Sequence, residues 1–345
     1  MTEPIGDSAT PPRVSVVVPC YNRAELLDAA LRSVAAQTFR DFEIVVVDDG
    51  STDGTPLVLA EWERRGVRVL RQANRGPSAA RNNGVRAARG ELLAFLDSDD
   101  LWRRTYLEEI VAVFDERPDV GLVAPAFQTM HADGRPTRRL VGKKSPGPVY
   151  TTRTLLQGDV GTIINPVIRR ELFLAVGGYD ETLRSGEDCD LSLRLSCAAP
   201  MRHLPRPLML YRQHPGNISR DVLANARCWL ALLEKLERTQ TRFARENRAL
   251  LRRAAAKQRV RLARELFLRD GGAVVPGEAR AELRRAIAAD PLYFKARAAM
   301  LLAVVPGAAA AFRRIRGLEL NLRRRWTETA ACAWINRHRR AVRPS

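Results

Sequence analysis

Three apolar segments, each typical of a buried strand, are followed by polar residues that could bind a ligand or take part in catalysis. These groups are Pro19-Cys20-Tyr21-Asn22, Asp48-Asp49-Gly50-Ser51 and Asp97-Ser98-Asp99-Asp100. One acidic cluster after a strand is usually a solvated turn or a helix cap. Clusters that converge on one sheet edge would instead suit Mg²⁺ or Mn²⁺, because these cations take oxygen ligands and bridge carboxylates to substrate phosphates.

Glycine-rich phosphate loops are absent from the sequence. It contains no GxxxxGK[ST] motif, which disfavours phosphoryl transfer of the P-loop type. No GxGxxG follows the first predicted strand, which disfavours a dinucleotide-binding fold. A divalent cation, rather than a backbone loop, would therefore carry the diphosphate of a substrate.

The elements that must position these groups alternate along the first hundred residues. The predicted strands are 14–18, 43–48, 67–71 and 92–96, and the predicted helices run through Leu26–Val34 and over about 55–65 and 78–89. We expect Asn22 to cap the first helix, with Glu25 at the capping-box position. Strand–helix alternation predicts a doubly wound sheet, whose ligands bind at the carboxyl ends of the strands.

Beyond residue 118 the pattern changes. Short strands are predicted at 120–126, 162–168 and 207–211, helices at 169–176 and 187–198, and a mobile loop at 131–148. After residue 220, sequence rich in Ala, Leu and Arg predicts helices at 220–268, 277–289, 291–315 and 318–338.

The strand-end groups belong to longer segments that resemble the family-2 inverting glycosyltransferases of GT-A fold. These segments are Val14–Thr55, Asn74–Trp102 and Gly177–Leu195. The resemblance covers about residues 13–220 and implies an α/β fold: a Rossmann-like, mostly parallel sheet flanked by helices, with an α-helical C-terminal extension. It also implies a nucleotide-diphospho-sugar donor, of the UDP, GDP or dTDP type, and a bound Mn²⁺ or Mg²⁺.

Roles for several residues of the donor half, 13–101, are implied by the same resemblance. Pro19, Tyr21 and Asn22 would line the nucleotide pocket. Asp49 would accept hydrogen bonds from the N–H groups of the base. The expected product is a glycosidic bond formed with inversion at the anomeric carbon.

The carboxylates after the fourth strand resemble the DxD motif of the family. Asp97 and Asp99 correspond to its two acidic positions, and Asp99 would be the direct metal ligand. Asp100 stays open as a substitute ligand, because some relatives shift the pair by one. Arg81, in the SAARNNG segment, would lie near the donor together with Asp97.

The acceptor half, 102–220, carries the remaining expected site residues. Glu187-Asp188 matches the ED motif, which implies that Glu187 lies on the acceptor side and that Asp188 is the general base. His214, within Tyr211-Arg212-Gln213-His214, matches a histidine that completes the metal shell. An acidic start would by itself also be ordinary for a helix, because it interacts favourably with the helix dipole.

The positive charge of the chain is confined to its last part. The net charge is +18, but residues 1–220 carry 29 basic and 28 acidic side chains, whereas residues 221–345 carry 28 and 11. We therefore predict three regions: a flexible N-terminus (1–12), a GT-A glycosyltransferase domain (13–220) and a basic helical region. The neutral charge of the catalytic region and the lack of a recognised module disfavour a nucleic-acid partner.

The basic region predicts where the enzyme works. Arginines beside apolar residues suit an interfacial amphipathic helix that holds the protein on an anionic membrane surface, near a glycan or lipid-linked acceptor. An Arg-rich coding bias is the alternative, because Arg outnumbers Lys 52 to 5. The N-terminus lacks an apolar signal segment, so we expect a cytoplasmic enzyme, peripheral on the inner membrane face.

Two other functions fit parts of this sequence. A sugar nucleotidyltransferase shares carboxylates and a metal, but it usually has a glycine-rich loop with a basic residue after its first strand. A non-catalytic, membrane-associated sugar-nucleotide binding protein would not need the acidic residues and the histidine of the expected active site. The sequence therefore favours a glycosyltransferase that acts on a cell-envelope glycan or lipid-linked acceptor.

Overall fold

The computed structural model describes residues 10–142, 149–157, 163–183, 185–214, 221–269 and 277–302. The chain divides into two compact units, Met1–Pro215 and Gly216–Ser345. The first unit is a mixed α/β structure of GT-A type, as the sequence predicts. The second unit is helical over the residues described.

One sheet of ten strands forms the centre of the first unit, counted over the described residues. The strands are β1 (Val14–Cys20), β2 (Phe42–Asp48), β3 (Arg68–Arg71), β4 (Leu92–Phe95), β5 (Leu101–Trp102), β6 (Leu122–Met130), β7 (Pro136–Val141), β8 (Val149–Tyr150), β9 (Val167–Arg169) and β10 (Met201–Arg212). Their order is β3-β2-β1-β4-β9-β6-β10-β5, with β7 beside β6 and β8 beside β10.

Parallel pairing holds the donor half together. Strand β1 pairs in parallel with β2 and β4, and β2 pairs in parallel with β3. Strands β6 and β10 are also parallel, while β9 joins β4 to β6 through antiparallel pairs. Both β1 and β2 are buried along their whole length, which explains why they read as continuous runs of valine and isoleucine.

Helices cover the sheet in the first unit. They are α1 (Ala24–Ala35), α2 (Thr55–Glu63), α3 (Pro77–Ala87), α4 (Tyr106–Glu116), α5 (Thr152–Gln157), α6 (Arg170–Ala175) and α7 (Glu187–Ala198). Helix α1 buries Leu27, Leu31 and Val34 at helical spacing, and each such side chain contributes about 1.5–3 kcal/mol of burial free energy. Helix α3 approaches β1 closely, because a Cβ at Gly84 would lie 2.5 Å from Cγ1 of Val17.

The expected cap of the first helix is wrong. Helix α1 begins at Ala24 with Arg23 at the N-cap position, and the Arg23 side chain makes no capping hydrogen bond. Asn22 has a φ of 51°, and its Oδ1 accepts a hydrogen bond from Thr52 N at 2.8 Å. The side chain is therefore committed to the loop after β2 rather than to the helix.

Two predicted elements of the acceptor half also differ. The segment expected to be a loop contains β7, which pairs with β6 through backbone hydrogen bonds. Its polar sequence does not predict a strand. Strand β10 is 12 residues long, whereas only 207–211 was expected. Register shifts against β6 near Pro207 accommodate the prolines within it.

The second unit contains five described helices. They are α8 (Val222–Thr239), α9 (Thr241–Glu246), α10 (Arg248–Arg269), α11 (Gly277–Ala289) and α12 (Phe294–Leu302). The single helix expected over 220–268 is wrong, because non-helical backbone at Gln240 and Asn247 divides it into three. Asp221 caps α8 by accepting from the N–H groups of Leu223 and Ala224.

The predictions for the end of the chain fall largely outside the described residues. Helix α11 confirms the expected helix at 277–289, and α12 covers part of 291–315. The predicted helix at 318–338 and the flexible N-terminus at 1–12 lie outside, apart from residues 10–12. Over the part of the chain that the structure describes, every helix is too short or too polar to cross a bilayer.

Candidate active site

The ends of β1, β2 and β4 lie side by side at one edge of the sheet. In the β1–β2 register Cys20 pairs with Asp48, and in the β1–β4 register Val17 pairs with Phe95. The backbone continues this pairing, since Leu96 N donates to Val17 O at 3.1 Å. The structure therefore brings together the three polar groups that follow these strands.

The three residues that are expected to line a nucleotide pocket differ in their exposure. Pro19 is buried within β1, where it pairs with Val47. Tyr21 is 44% exposed, so its ring is available at the sheet edge. Asn22 joins two loops, because its N–H donates to Ser51 Oγ at 2.9 Å while its side chain accepts from Thr52.

Asp49 organises the loop that leads into α3. Its Oδ1 accepts from Gln72 Nε2 at 2.8 Å and from Arg75 N at 2.9 Å, and its Oδ2 accepts from Gly76 N at 2.7 Å. A carboxylate can accept about four hydrogen bonds, so these contacts leave about one position. Asp49 is buried by this loop, and its protein partners were not expected from the sequence.

The three aspartates after β4 have three different surroundings. Asp97 forms an ion pair with Arg81, with 2.7 Å between Oδ1 and Nη2. The Oδ2 of Asp99 lies 3.0 Å from His214 Nε2 and 3.7 Å from Arg23 Nη2. The structure thus places Asp99 beside the histidine that the sequence assigned to the same metal.

Asp100 is a buried structural residue. Its side chain accepts from Arg212 N at 2.9 Å and from Asn165 Nδ2 at 3.1 Å, and the residue is fully buried. Burial, reinforced by the charges of Asp97 and Asp99, raises the pKa of this carboxyl well above its usual range. These partners favour Asp99 over Asp100 as the residue that faces a ligand.

Arg81 is the centre of a buried ionic network. Besides Asp97, its guanidinium contacts Glu187 Oε1 at 3.3 Å and lies 5.1 Å from the centroid of the Tyr179 ring. The arginine is only 5% exposed, and a buried cation of this kind is stable only when carboxylates surround it. Arg81 therefore links Asp97, which follows β4, to Glu187 at the start of α7.

Asp188 is the most chemically distinctive group of this network. It follows Glu187 in the first turn of α7, and Tyr179 Oη donates to its Oδ1 at 3.4 Å. Burial raises the pKa of Asp188 to about 7, against the lowering effect of Arg81 and with further raising by Glu187 and Asp97. A carboxylate with this pKa suits a general base that operates near neutral pH.

Asp99 and His214 have the donor atoms and the spacing for a shared cation. Oδ2 and Nε2 lie at hydrogen-bond distance, 3.0 Å, which is also about the separation of adjacent ligands around an octahedral ion at about 2.1 Å. Within the described residues, no three His, Cys, Asp or Glu side chains gather into a metal-binding group. The pair therefore fits an ion whose other ligands come from a substrate and water, rather than an all-protein metal site.

Three residues that shape the site were not identified from the sequence. Tyr179 contacts both Arg81 and Asp188, and Asn165 donates to Asp100 and accepts from Asp97 N through its side chain. Arg212 donates from Nε to Asp99 O at 2.8 Å. The sequence gave a hint for two of them: Tyr179 follows the Gly177-Gly178 pair, and Arg212 lies within the Tyr211-Arg212-Gln213-His214 segment.

The sequence matches known proteins over part of its length. Residues 15–173 match the family model Glycosyl transferase family 2. An uncharacterized glycosyltransferase of Haemophilus influenzae is 33% identical over 184 residues, which is 53% of this chain and 61% of that protein. The succinoglycan biosynthesis protein ExoO of Rhizobium meliloti is 33% identical over 223 residues, 61% of this chain and 63% of that protein.

A third relative is the putative teichuronic acid biosynthesis glycosyltransferase TuaG of Bacillus subtilis. It is 35% identical over 133 residues, which is 38% of this chain and 52% of that protein. The chain thus spans less than two thirds of the length of these curated relatives.

Solved structures share the fold. TarS 1-349 of S. aureus in complex with UDP-GlcNAc gives a TM-score of 0.58 at 18% identity, covering 88% of this chain and 92% of that one. The mannosyltransferase PcManGT from Pyrobaculum calidifontis, in complex with GDP-Man and Mn²⁺, gives 0.56 at 22% identity, covering 94% and 87%. At such identities the likeness establishes the fold alone.

Proposed function

The chain carries a glycosyltransferase domain of family 2 with the GT-A fold, and from this premise we propose that it transfers a sugar, with inversion, from a nucleotide diphosphate to an acceptor hydroxyl. The observation that carries the proposal is the network of Asp97, Arg81, Glu187 and Asp188 at the carboxyl edge of the sheet. It joins the DxD carboxylates, on the donor side, to a base whose pKa is matched to neutral pH.

Asp188 acts as the base of a single displacement. The acceptor oxygen bonds to the anomeric carbon, the bond from that carbon to the diphosphate oxygen breaks, and the hydroxyl proton passes to the Asp188 carboxylate. Attack from the side opposite the leaving group inverts the anomeric centre, as in inverting glycoside hydrolysis. Glu187 lies on the acceptor side and, through Arg81, keeps the base oriented.

Asp99 and His214 would hold a divalent cation, Mn²⁺ or Mg²⁺. Such a cation supplies electrostatic stabilisation of the charge that develops on the departing diphosphate. PcManGT is described in complex with GDP-Man and Mn²⁺, which supports the same requirement here. Asp97 and Arg81 position the donor beside this pair.

The nucleotide occupies the pocket after β1 and β2. Tyr21 stacks on the base, and Pro19 and Asn22 shape the wall behind it. Asp49 supports the floor by fixing the loop at 72–76, and its remaining acceptor position is available to a base N–H group. The candidate donors are UDP-, GDP- and dTDP-sugars, in line with the UDP-GlcNAc and GDP-Man complexes of the structural neighbours.

The acceptor is a glycan or lipid-linked molecule of cell-envelope polysaccharide synthesis. The relatives ExoO and TuaG, whose names refer to succinoglycan and teichuronic acid biosynthesis, support this class of acceptor. The basic region at 221–345 holds the enzyme at the anionic inner membrane face, because each basic residue close to such a surface contributes about 1 kcal/mol. Exposed Arg252, Arg253 and Lys257 of α10 contribute to this charge.

A donor panel tests the reaction. Release of nucleoside diphosphate is followed with UDP-, GDP- and dTDP-sugars in the presence of Mn²⁺ or Mg²⁺, with chelator as a control. We expect turnover with one nucleotide, and none with Asp99→Ala or Asp188→Ala. Wild-type turnover by both variants would show that the site is misassigned.

Vesicle co-sedimentation tests the membrane assignment. The full chain is mixed with phosphatidylglycerol vesicles and, as the matched control, with neutral phosphatidylcholine vesicles. We expect binding to the anionic vesicles that weakens as salt rises, because exposed charges are screened beyond about 8–10 Å at physiological ionic strength. Equal binding to both vesicle types would contradict the assignment.

A further inference from the structure

Arg23 has a fixed backbone and an adaptable side chain. Its N–H donates to Thr55 Oγ1 at 2.8 Å, and its carbonyl accepts from Leu26 N and Leu27 N at the start of α1. The side chain, in contrast, is 35% exposed. The position of this arginine at the sheet edge is therefore set by the fold, while its guanidinium can change partners.

The guanidinium shares its present partner with the histidine of the expected cation pair. Arg23 Nη2 lies 3.7 Å from Asp99 Oδ2, the same oxygen that lies 3.0 Å from His214 Nε2. Arg23 Nη1 donates to Asn22 O at 3.3 Å. A separation of 3.7 Å is longer than a well-formed charge-assisted hydrogen bond, so the contact with Asp99 is loose.

A divalent cation bound at Asp99 would compete with this guanidinium for the same carboxylate oxygen. Like charges at a separation of a few ångströms repel, and the repulsion is strongest in a site with little water. A diphosphate that arrives with the cation changes the balance, because the planar fork of arginine matches phosphate oxygens and forms bidentate hydrogen bonds with them. Arg23 directly follows Tyr21 and Asn22, the residues assigned to the nucleotide pocket.

We propose that Arg23 neutralises Asp99 in the free enzyme and moves to the diphosphate of the donor when the cation binds Asp99. Cation and nucleotide then bind synergistically, because the diphosphate draws the positively charged guanidinium of Arg23 away from Asp99, where it opposes the cation. This inference rests on the proposed function, and it assigns Arg23 as a donor-binding residue outside the DxD and ED motifs.

Binding measurements on three variants test the exchange. Arg23→Gln removes the charge, Arg23→Lys keeps the charge without the fork, and Arg32→Gln on the exposed face of α1 is the matched control. Mn²⁺ binding without nucleotide is measured by electron paramagnetic resonance. UDP, GDP and dTDP binding with saturating Mn²⁺ is measured by isothermal titration calorimetry.

The expected result is an opposite change in two affinities. Arg23→Gln binds Mn²⁺ alone about threefold or more tightly, because the competing charge is gone, and binds the nucleotide about tenfold or more weakly. Arg23→Lys leaves Mn²⁺ affinity near that of the wild type and weakens nucleotide binding, which keeps the test valid if Arg23→Gln does not fold. Arg32→Gln matches the wild type in both measurements.

Any other outcome of these binding measurements overturns either the exchange of Arg23 between partners or the proposed function. If the wild type binds Mn²⁺ and a nucleotide and the Arg23 variants bind them equally well, the exchange is overturned while the proposed function stands. If Arg23→Gln weakens Mn²⁺ binding as well, the residue supports the cation instead of opposing it, and the exchange is again overturned. If the wild type binds none of the three nucleotides, the proposed function fails and the exchange fails with it.

Discussion

The sheet edge of the first unit and the exposed helix faces of the second unit handle charge in opposite ways. At the sheet edge of the first unit, charged side chains such as Arg81 and Asp100 are buried, and each forms ion pairs or hydrogen bonds with more than one partner. On the helices of the second unit, ion pairs such as Arg242–Glu246 stand in solvent, with side chains 90% and 60% exposed. Buried charges are expensive unless they are paired, whereas exposed pairs contribute little.

This difference in burial matches two proposed roles: the buried charges serve catalysis, and the exposed charges serve localisation at a membrane. Buried carboxylates acquire shifted pKa values and fixed directions, which is what a base and a cation site require. Exposed arginines keep their hydration and their freedom, so they act through their summed field rather than through individual contacts. We therefore expect single substitutions to have large effects at the buried sheet edge of the first unit and small effects on the exposed helix faces of the second.

The largest effect is expected for Asp188→Asn. The amide has the same size as the carboxylate but cannot accept the proton of the acceptor hydroxyl, and loss of such a base lowers kcat by about 10²–10⁴-fold. Steady-state release of nucleoside diphosphate with a saturating donor measures this. Asp119→Asn, which changes an exposed carboxylate of the same unit, is the control and should keep the wild-type rate. A kcat for Asp188→Asn within a factor of three of the wild type would exclude its assignment as the base.

A substitution in a buried ion pair should lower stability strongly. Arg194 contacts Asp190 four residues earlier in α7, with side chains only 12% and 4% exposed, and also donates to Val176 O and Gly178 O. Arg194→Gln removes the guanidinium from a buried carboxylate, and we expect a loss of about 3 kcal/mol in the free energy of unfolding. Urea unfolding measures it, and a loss below 1 kcal/mol would contradict the importance of burial here.

The pH dependence of kcat should report the base directly. The pKa of Asp188 is raised to about 7 by burial and by Glu187 and Asp97, against the effect of Arg81. Only the deprotonated carboxylate accepts a proton, so kcat rises about tenfold between pH 6 and pH 8 and levels off above. Glu187→Gln removes a negative charge that raises this pKa and should move the inflection to lower pH. A flat profile from pH 5 to 8 would remove Asp188 from the chemical step.

Sequence patterns predicted the donor half well, because its elements are local and repetitive. Strands β1, β2 and β4 are apolar runs, and α1 carries its buried leucines at helical spacing. Strand β7 was missed because pairing with β6, rather than its own polar sequence, makes it a strand. Most of β10 was missed because Pro205 and Pro207 argue against a strand unless irregular pairing accommodates them.

Only those residues of the candidate site that belong to a recognisable sequence motif could be predicted. Spacing and resemblance identified Asp97, Asp99 and Asp188, and the structure brings Asp99 within 3.0 Å of His214, 115 positions away. Asn165 was not predictable, because its role depends on partners from three distant segments. Asp99 and Asp100 are adjacent and chemically identical, and only the structure shows that Asp100 is fully buried while the Asp99 side chain is 17% exposed.

The smallest effect is expected for the exposed counterpart of the Arg194–Asp190 pair. Arg242 and Glu246 have the same four-residue spacing on a helix, in the opposite order. The two pairs differ in burial and in the two backbone carbonyls to which Arg194 also donates. An exposed pair of this kind contributes about 0.3–0.5 kcal/mol, and Arg242→Gln should therefore change the free energy of unfolding by no more than that. Urea unfolding of both variants under identical conditions gives the comparison. Similar losses for Arg194→Gln and Arg242→Gln would mean that helical spacing, and not burial, determines how strongly these ion pairs stabilise the chain.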